Sequence, residues 1–92
     1  MAEVLVGNVS HYLARQGVAV LMLREPLRSG DRIHIAGRIT DVELTVDSVE
    51  VDTHHMGFAH TGYQVAIKVG DWVREGDRVY LQMDVEPSEG DS

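Results

Sequence analysis

Four arginines stand in a repeated pattern that suits contact with phosphate groups. The stretches LRSGDRIHI (27–35) and VREGDRVYL (73–81) each place one arginine two residues before a Gly-Asp pair and another directly after it. A guanidinium group presents its N–H donors in a planar fork that matches phosphate oxygens. If the two stretches lie side by side, their arginines would share one surface, which we predict to bind nucleic acid. The residues of this predicted site are Arg28, Arg32, Arg74 and Arg78.

The simpler alternative is that these arginines pair with acids that are close to them in the sequence. Exposed arginines commonly form such pairs, and each pair contributes little to stability. The acids in question are Glu25, Asp31, Glu75 and Asp77. This alternative requires no ligand at all.

The Gly-Asp pair itself has a structural explanation. Glycine is favoured in turns that require a positive φ, and an aspartate side chain can accept hydrogen bonds from backbone N–H groups just beyond it. We therefore predict that Gly30, Asp31, Gly76 and Asp77 set a turn and the start of a strand.

Catalytic and metal-binding patterns are weak in this chain. Because it contains no cysteine, disulfides, cysteine-based zinc sites and thiol nucleophiles are excluded. The stretch THHMGFAH carries His54, His55 and His60, but adjacent residues of an extended segment point to opposite sides. Ser10 precedes His11 without the G-x-S-x-G pattern of a nucleophile elbow. We predict no metal, no cofactor and no enzymatic activity.

The lysine Lys68 raises a further alternative. Lipoyl and biotinyl carrier domains are small β proteins with similar Gly-Asp turns, and IKVGDWVREGDRV superficially resembles part of one. Their modified lysine lies at an exposed hairpin tip, whereas Lys68 lies within the alternating run 63–69. The sequence therefore argues against this alternative.

The elements that would position these residues are strands. Apolar residues alternate with polar ones or form short continuous runs, and no segment has the helical i, i+3, i+4 spacing. The strand candidates begin near Val4 and cover 17–23, 32–35, 39–51, 63–69 and 77–83. In the longest candidate the apolar parity switches near Asp47–Ser48, which predicts a bulge or a sharp bend.

Six strands without crossover helices predict antiparallel pairing, and closure would cover both the apolar face and the sheet edges. The predicted fold is all-β: a single small, antiparallel, six-stranded, closed or nearly closed β-barrel. Its predicted interior residues are Val18, Val20, Ile33, Ile35, Val42, Leu44, Val46, Val65, Ile67, Val79 and Leu81.

The chain length of 92 residues indicates one domain. We assign the barrel to residues 1–83 and an acidic, disordered tail to residues 84–92, DVEPSEGDS. The formal net charge of −7 argues against a protein that holds nucleic acid by bulk charge alone. No apolar run reaches the roughly 18 residues of a membrane span, and no signal peptide is evident, so a cytoplasmic protein is expected.

The order of the motifs resembles the β-barrel second domain of translational GTPases such as elongation factor Tu and initiation factor 2. The likeness covers residues 4 to about 83 and is also close to short stand-alone elongation-factor-like proteins. The matching segments are Gly7-Asn8-Val9, the GVA strand, Leu27 to Gly37, Val46 to Val49 and Ala59 to Ile67. A similar barrel is expected at the C-terminus of RNA-hydroxylating proteins once classed as collagenase-like peptidases.

One departure from the translational GTPases limits this resemblance. The phosphate loop G-x-x-x-x-G-K-[ST] requires a lysine, and Lys68 stands between isoleucine and valine instead. The chain is therefore not expected to hydrolyse GTP.

Two functions follow as expectations. The first is a non-catalytic barrel that contacts RNA, with tRNA or the ribosome as the partner that the resemblance implies. The alternative is a protein-interaction subunit of an RNA-modifying enzyme of the collagenase-like peptidase family, which the acidic charge suits better. Trp72, Phe58 or Met56 would then anchor the interface with the protein partner. No contact with a membrane is expected.

Overall fold

The fold was analysed in a computed structural model, which describes residues 2–51, 54–56, 58–59, 62 and 64–83. Of residues 51, 54–56 and 58–59 it describes the backbone alone. Within this part of the chain every regular element is a β-strand. The strands are β1 (Ala2–Leu13), β2 (Val18–Leu23), β3 (Leu27–Arg28), β4 (Arg32–Ala36), β5 (Asp41–Thr45), β6 (Val49–Val51), β7 (His54–Met56), β8 (Phe58–Ala59), β9 (Gln64–Lys68) and β10 (Arg78–Met83).

Eight of these strands form one sheet in the order β5-β4-β10-β1-β2-β9-β6-β7, and β3 pairs with β8 in a second, two-stranded sheet. All the pairings are antiparallel, as the sequence predicts. The prediction of a six-stranded closed or nearly closed barrel is wrong, because the described strands form a curled half-barrel with β5 and β7 at its edges. Strands of two or three residues, such as β3, β7 and β8, are too short to leave an alternating pattern.

The curl of the sheet follows from the short connection between β5 and β6. These strands lie near opposite ends of the sheet order, yet only residues 46–48 separate them. Four Cα steps span at most about 15 Å, so the sheet must bend until its ends approach each other. The single strand expected over 39–51 is therefore two strands, and the break between them falls at the predicted bend near Asp47–Ser48.

The core lies inside this curl and consists of aliphatic side chains. Of the predicted interior, Ile33, Ile35, Val46, Val65, Ile67 and Val79 are fully buried, and Val42, Leu44 and Leu81 pack against them. The prediction for β2 is wrong, because Ala19, Leu21 and Leu23 face the core and Val18 and Val20 do not. The run GVAVLML is apolar at both parities, so alternation alone could not choose its inner face.

Candidate functional site

Both Gly-Asp segments fold into the same hydrogen-bonded turn. In the first, the backbone N–H of Arg28 donates to Oδ2 of Asp31 at 2.9 Å, and the N–H of Asp31 donates to the Arg28 carbonyl at 3.1 Å. In the second, the corresponding bonds between Arg74 and Asp77 measure 2.8 and 3.0 Å. The aspartate therefore fixes the turn as predicted, but it accepts from an N–H three residues before it and not from groups just beyond it.

Each turn also holds a second segment of backbone. Gly30 (φ 94°) donates its N–H to the carbonyl of Val46 at 2.7 Å, and Val46 donates to the carbonyl of the turn aspartate at 2.8 Å. Gly76 (φ 91°) and Val9 make the equivalent pair of bonds at 2.9 and 2.8 Å. Glycine is required at both places because other residues are strained at such φ values.

The two repeated stretches lie side by side, but they run in opposite directions. Strands β4 and β10 pair so that His34 faces Tyr80, and these residues occupy equivalent places in the two stretches. Arg78 consequently faces Ala36, whereas Arg32 stands four residues away along β4, about 13 Å. The ladder therefore separates the arginines into two pairs instead of gathering all four. Their predicted binding of nucleic acid stays a prediction.

The pair at the first turn is engaged with its own chain. Arg32 donates from Nη1 to Oγ1 of Thr45 at 3.3 Å, and its Nη2 lies 3.7 Å from Oε1 of Glu43. Arg28 is exposed and also has an interaction partner. The guanidinium partner of Arg32 is thus a cross-strand acid, not one of the sequence neighbours that the simpler alternative named.

The pair at the second turn lines a groove together with a third arginine. The groove consists of two adjoining open depressions of about 520 and 420 Å³ that share Gly37, Arg38 and Gly76, and Arg74 lines the larger and Arg78 the smaller. We call it the arginine groove, and its central residues are Gly37, Arg38, Ile39, Arg74, Gly76 and Arg78. The sequence prediction omitted Arg38, which lies in the turn between β4 and β5. Arg38 could have been found by assuming that β4 and β10 pair in antiparallel fashion, because this pairing places the β4–β5 turn beside the second Gly-Asp turn.

Two carboxylates border the arginine groove, and each has a partner. Oε2 of Glu75 lies 3.3 Å from Nδ1 of His11, across the gap between two segments. Asp77 is only 6% exposed and accepts the turn hydrogen bond from the backbone of Arg74. Its carboxylate lies where a Cβ of residue 37 would be, so Gly37 is needed for this close approach. The acids therefore shape the groove without occupying the guanidinium groups.

A histidine bridge crosses strands of the sheet next to Tyr80, which lines the smaller part of the groove. Nδ1 of His34 lies 2.9 Å from Oε2 of Glu3 in β1, and Nε2 lies 2.6 Å from Oδ1 of Asp41 in β5. Partial burial lowers the pKa of His34, but the hydrogen bonds and charges of Asp41 and Glu3 outweigh it. The pKa of His34 is therefore raised above its usual 6.5.

The remaining candidate residues do not assemble a catalytic site in the described part of the chain. Ser10 donates its hydroxyl to the carbonyl of Val20 at 3.1 Å, while His11 reaches Glu75. Lys68 lies in β9 opposite Val18 and not at a hairpin tip.

The histidine-rich stretch THHMGFAH cannot be judged as a metal site from the described residues. The side chains of His54 and His55, and all of His60, lie outside the described residues. Elsewhere in the described chain no group of three or more histidine, aspartate or glutamate side chains is placed to hold a metal ion. The described residues contain no helix that is long and apolar enough to cross a membrane.

Comparison with known proteins gives a different resemblance from the one expected. No protein-family model matches the chain. It is 38% identical over 77 residues, 83% of its length, to the uncharacterized protease MJ0090 of Methanocaldococcus jannaschii. The chain spans only 19% of the length of that relative.

Solved structures show the same kind of fold. The C-terminal domain of a Geobacillus thermoleovorans U32 peptidase superposes with a TM-score of 0.80 at 20% identity, covering 86% of this chain and 92% of that domain. Its selenomethionine variant gives 0.77 at 22% identity, with 83% and 96% covered. The expected kinship with translational GTPases and elongation factors is therefore wrong. The chain resembles the C-terminal domain of U32 peptidase-family proteins instead.

Proposed function

We propose that the chain is a non-catalytic β-domain that docks on the larger part of a U32 peptidase-family protein. The proposal rests on the length of this chain compared with the length of its relative. Most of the chain aligns with a fifth of a much longer protease, and its fold is that of a C-terminal domain that forms crystals by itself. A domain of this size that accompanies a larger region most simply acts by contact with it. This is the protein-interaction alternative of the sequence analysis.

The use of the polar side chains supports a non-catalytic role. Histidines and acids are the commonest acid–base groups in enzymes, and they work within reach of a substrate. Here His34 bridges Glu3 and Asp41, and His11 pairs with Glu75. These contacts join strands and turns of the fold to one another.

An exposed tryptophan packed against a partly buried tyrosine offers an anchor for the docking partner. Trp72 is 63% exposed, and its ring lies 5.3 Å from that of Tyr12 at an interplanar angle of 56°. The next residue, Val73, is buried and fixes this loop to the core. Tryptophan is among the residues whose truncation costs protein interfaces most. The other predicted anchors, Phe58 and Met56, have side chains outside the described residues.

The proposal is tested by complex formation between purified proteins. The chain is mixed with a U32 peptidase-family protein from its own source, either full length or without its C-terminal domain, and the mass of the mixture is measured by size exclusion with light scattering. Circular dichroism checks that the shortened protein is folded. We expect a one-to-one complex with the shortened protein, because its docking surface is free.

Two variants at exposed positions refine this test. Trp72→Ala is expected to weaken the complex, whereas Met22→Ala, on the exposed face of β2, is expected to leave it unchanged. Absence of a complex with the folded, shortened protein would overturn the proposed function.

A further inference from the structure

We propose that the arginine groove is part of the docking surface, in addition to Trp72, and that it receives an acidic polypeptide segment with an apolar residue among its carboxylates. This inference rests on the proposed function for the identity of the partner, but the chemistry of the groove can be tested by itself. It concerns the end of the β4–β10 ladder that carries Arg38, Arg74 and Arg78.

The three guanidinium groups of the groove have no bonding partner among the described residues. Arg38, Arg74 and Arg78 are exposed, and within the described residues none of their side chains has a hydrogen bond or an ion pair. Arg32, at the other end of the same ladder, shows the contrasting case with its bonds to Thr45 and Glu43. Three unpaired cations brought together in a chain of net charge −7 favour an anionic ligand at that place.

Neither acid of the groove forms an ion pair with these three arginines. Glu75 is held by His11 at 3.3 Å, and the carboxylate of Asp77 is turned inward to the backbone of Arg74 at 2.8 Å. A ligand carboxylate would therefore meet guanidinium forks whose geometry suits bidentate contact.

The groove also has an apolar part, which Ile39 supplies. Ile39 is 72% exposed at the tip of the β4–β5 turn, next to Arg38, and it lines the groove. A single exposed isoleucine is ordinary on a protein surface. Between arginines and in a concave place, however, it supplies the combination of apolar anchor and arginine that is typical of protein interfaces.

The groove is also held in shape before any ligand arrives. The N–H of Gly37 donates to the carbonyl of Thr40 at 2.9 Å, which closes the turn that carries Arg38 and Ile39. The opposite wall is the second Gly-Asp turn, which Gly76 joins to Val9 at 2.9 Å. A preformed surface loses less entropy on binding. The open shape suits an extended segment that lies across the groove, not an enclosed small molecule.

A polypeptide fits these features better than a nucleic acid does. Nucleic acid binding draws mainly on the release of counterions by many cations, and the net charge of −7 opposes the approach of a polyanion. A segment with two or three carboxylates meets less repulsion and can also cover Ile39.

The test uses the full 92-residue chain and a fluorescein-labelled, C-terminally amidated peptide with three carboxylates around one leucine, GSEELEGSGS, in fluorescence anisotropy titrations at low salt. The groove variant Arg38→Ala/Arg74→Ala/Arg78→Ala is compared with a control variant, Arg15→Ala/Arg24→Ala/Arg32→Ala, which removes the same amount of charge outside the groove. Thermal melts confirm that both are folded. We expect the groove variant to bind the peptide at least about tenfold more weakly and the control to stay within about threefold of the wild type.

A second titration with a labelled single-stranded decanucleotide separates the two ligand classes. Tighter binding of the oligonucleotide than of the peptide would overturn the inference in favour of a nucleic-acid site. Equal loss of peptide binding in both variants, or no peptide binding by the wild type, would also overturn it.

Complex formation with the shortened U32 peptidase-family protein, measured for the groove variant, distinguishes the docking function from the groove inference. If the groove variant forms that complex as tightly as the wild type, the groove inference fails and the docking function stands. If no complex forms but the peptide binds through the groove, the docking function fails and the groove inference stands.

Discussion

His34 joins three strands of the sheet through its two ring nitrogens. It lies in β4, and its partners Glu3 and Asp41 belong to β1 and β5. Glu3 also accepts a hydrogen bond from Nε2 of Gln82 in β10 at 3.1 Å, so four strands share the network. Asp41 is only seven residues from His34, but Glu3 is 31 residues away and Gln82 is 79 residues from Glu3, so local patterns do not reveal the network.

The stability of the protein is expected to depend on pH through His34. Because the folded-state pKa of His34 is raised, its contribution is fully present below its unfolded pKa of about 6.5 and is lost as pH rises through the folded pKa. Urea unfolding of the wild type and of His34→Gln, at intervals between pH 5.5 and 9, measures this contribution as a difference. The difference should be larger at pH 6 than at pH 9, and a difference that is constant or grows with pH would contradict this.

Thr40 is expected to be replaceable by valine with a gain in stability. Its side chain is 4% exposed, and its Oγ1 has no hydrogen-bond partner among the described residues. A buried hydroxyl without a partner loses its hydration on folding, and valine has nearly the same shape. We expect Thr40→Val to raise the free energy of unfolding by about 1 kcal/mol in urea titrations. Thr45→Val is the control, since Thr45 is exposed and bonded to Arg32, and it should not stabilise the protein.

The two Gly-Asp turns hold the chain at the places where strands bend. The first is bonded to Val46, between β5 and β6, and the second to Val9, where the register of β1 with β2 shifts. A strand that bends exposes backbone groups that its ladder no longer pairs. Each turn supplies one donor and one acceptor to such a segment, which explains why the same motif occurs twice without any ligand.

Substitution of Gly76 by alanine should show how much the second turn contributes. Its φ of 91° is unfavourable for residues with a Cβ, although the space around it is open. We expect Gly76→Ala to lower the free energy of unfolding by about 1–2 kcal/mol. Gly70→Ala is the matched control, because that site is equally open and its φ is not positive, so its effect on the urea midpoint should be much smaller. Equal effects would show that the backbone conformation of Gly76 is not what the turn requires.

The elements differ in how well local patterns predict them. Alternation places Ile33 and Ile35 of β4 and Val65 and Ile67 of β9 correctly in the core, because each of these strands has one polar face. It fails in β2, where both faces are apolar. Which strands pair, and in which direction, depends on contacts between distant segments. The separation of Arg32 from Arg78 and the entry of Arg38 into the groove follow from that pairing alone.

At the scale of the whole molecule, the likeness to translation-factor barrels comes from features that many small curled β domains share. Small curled β domains share short alternating strands and Gly-Asp turns, and these features record how a sheet bends, not what it binds. The segment from Leu27 to Gly37, which carried the resemblance, contains the first Gly-Asp turn and β4. The segment from Val46 to Val49 covers the connection between β5 and β6, to which that turn is hydrogen-bonded. The function and the binding site that we propose rest instead on exposed groups, namely Trp72 and the arginine groove.

Competition for one docking surface tests the proposed function most directly. The chain, labelled with a fluorophore, is bound to a U32 peptidase-family protein that lacks its C-terminal domain, and the isolated C-terminal domain of that protein is then added in increasing amounts. If the chain acts as a domain of this kind, the C-terminal domain will displace it completely and with one-to-one stoichiometry. A ternary complex, or a chain that remains bound at saturating competitor, would contradict the account.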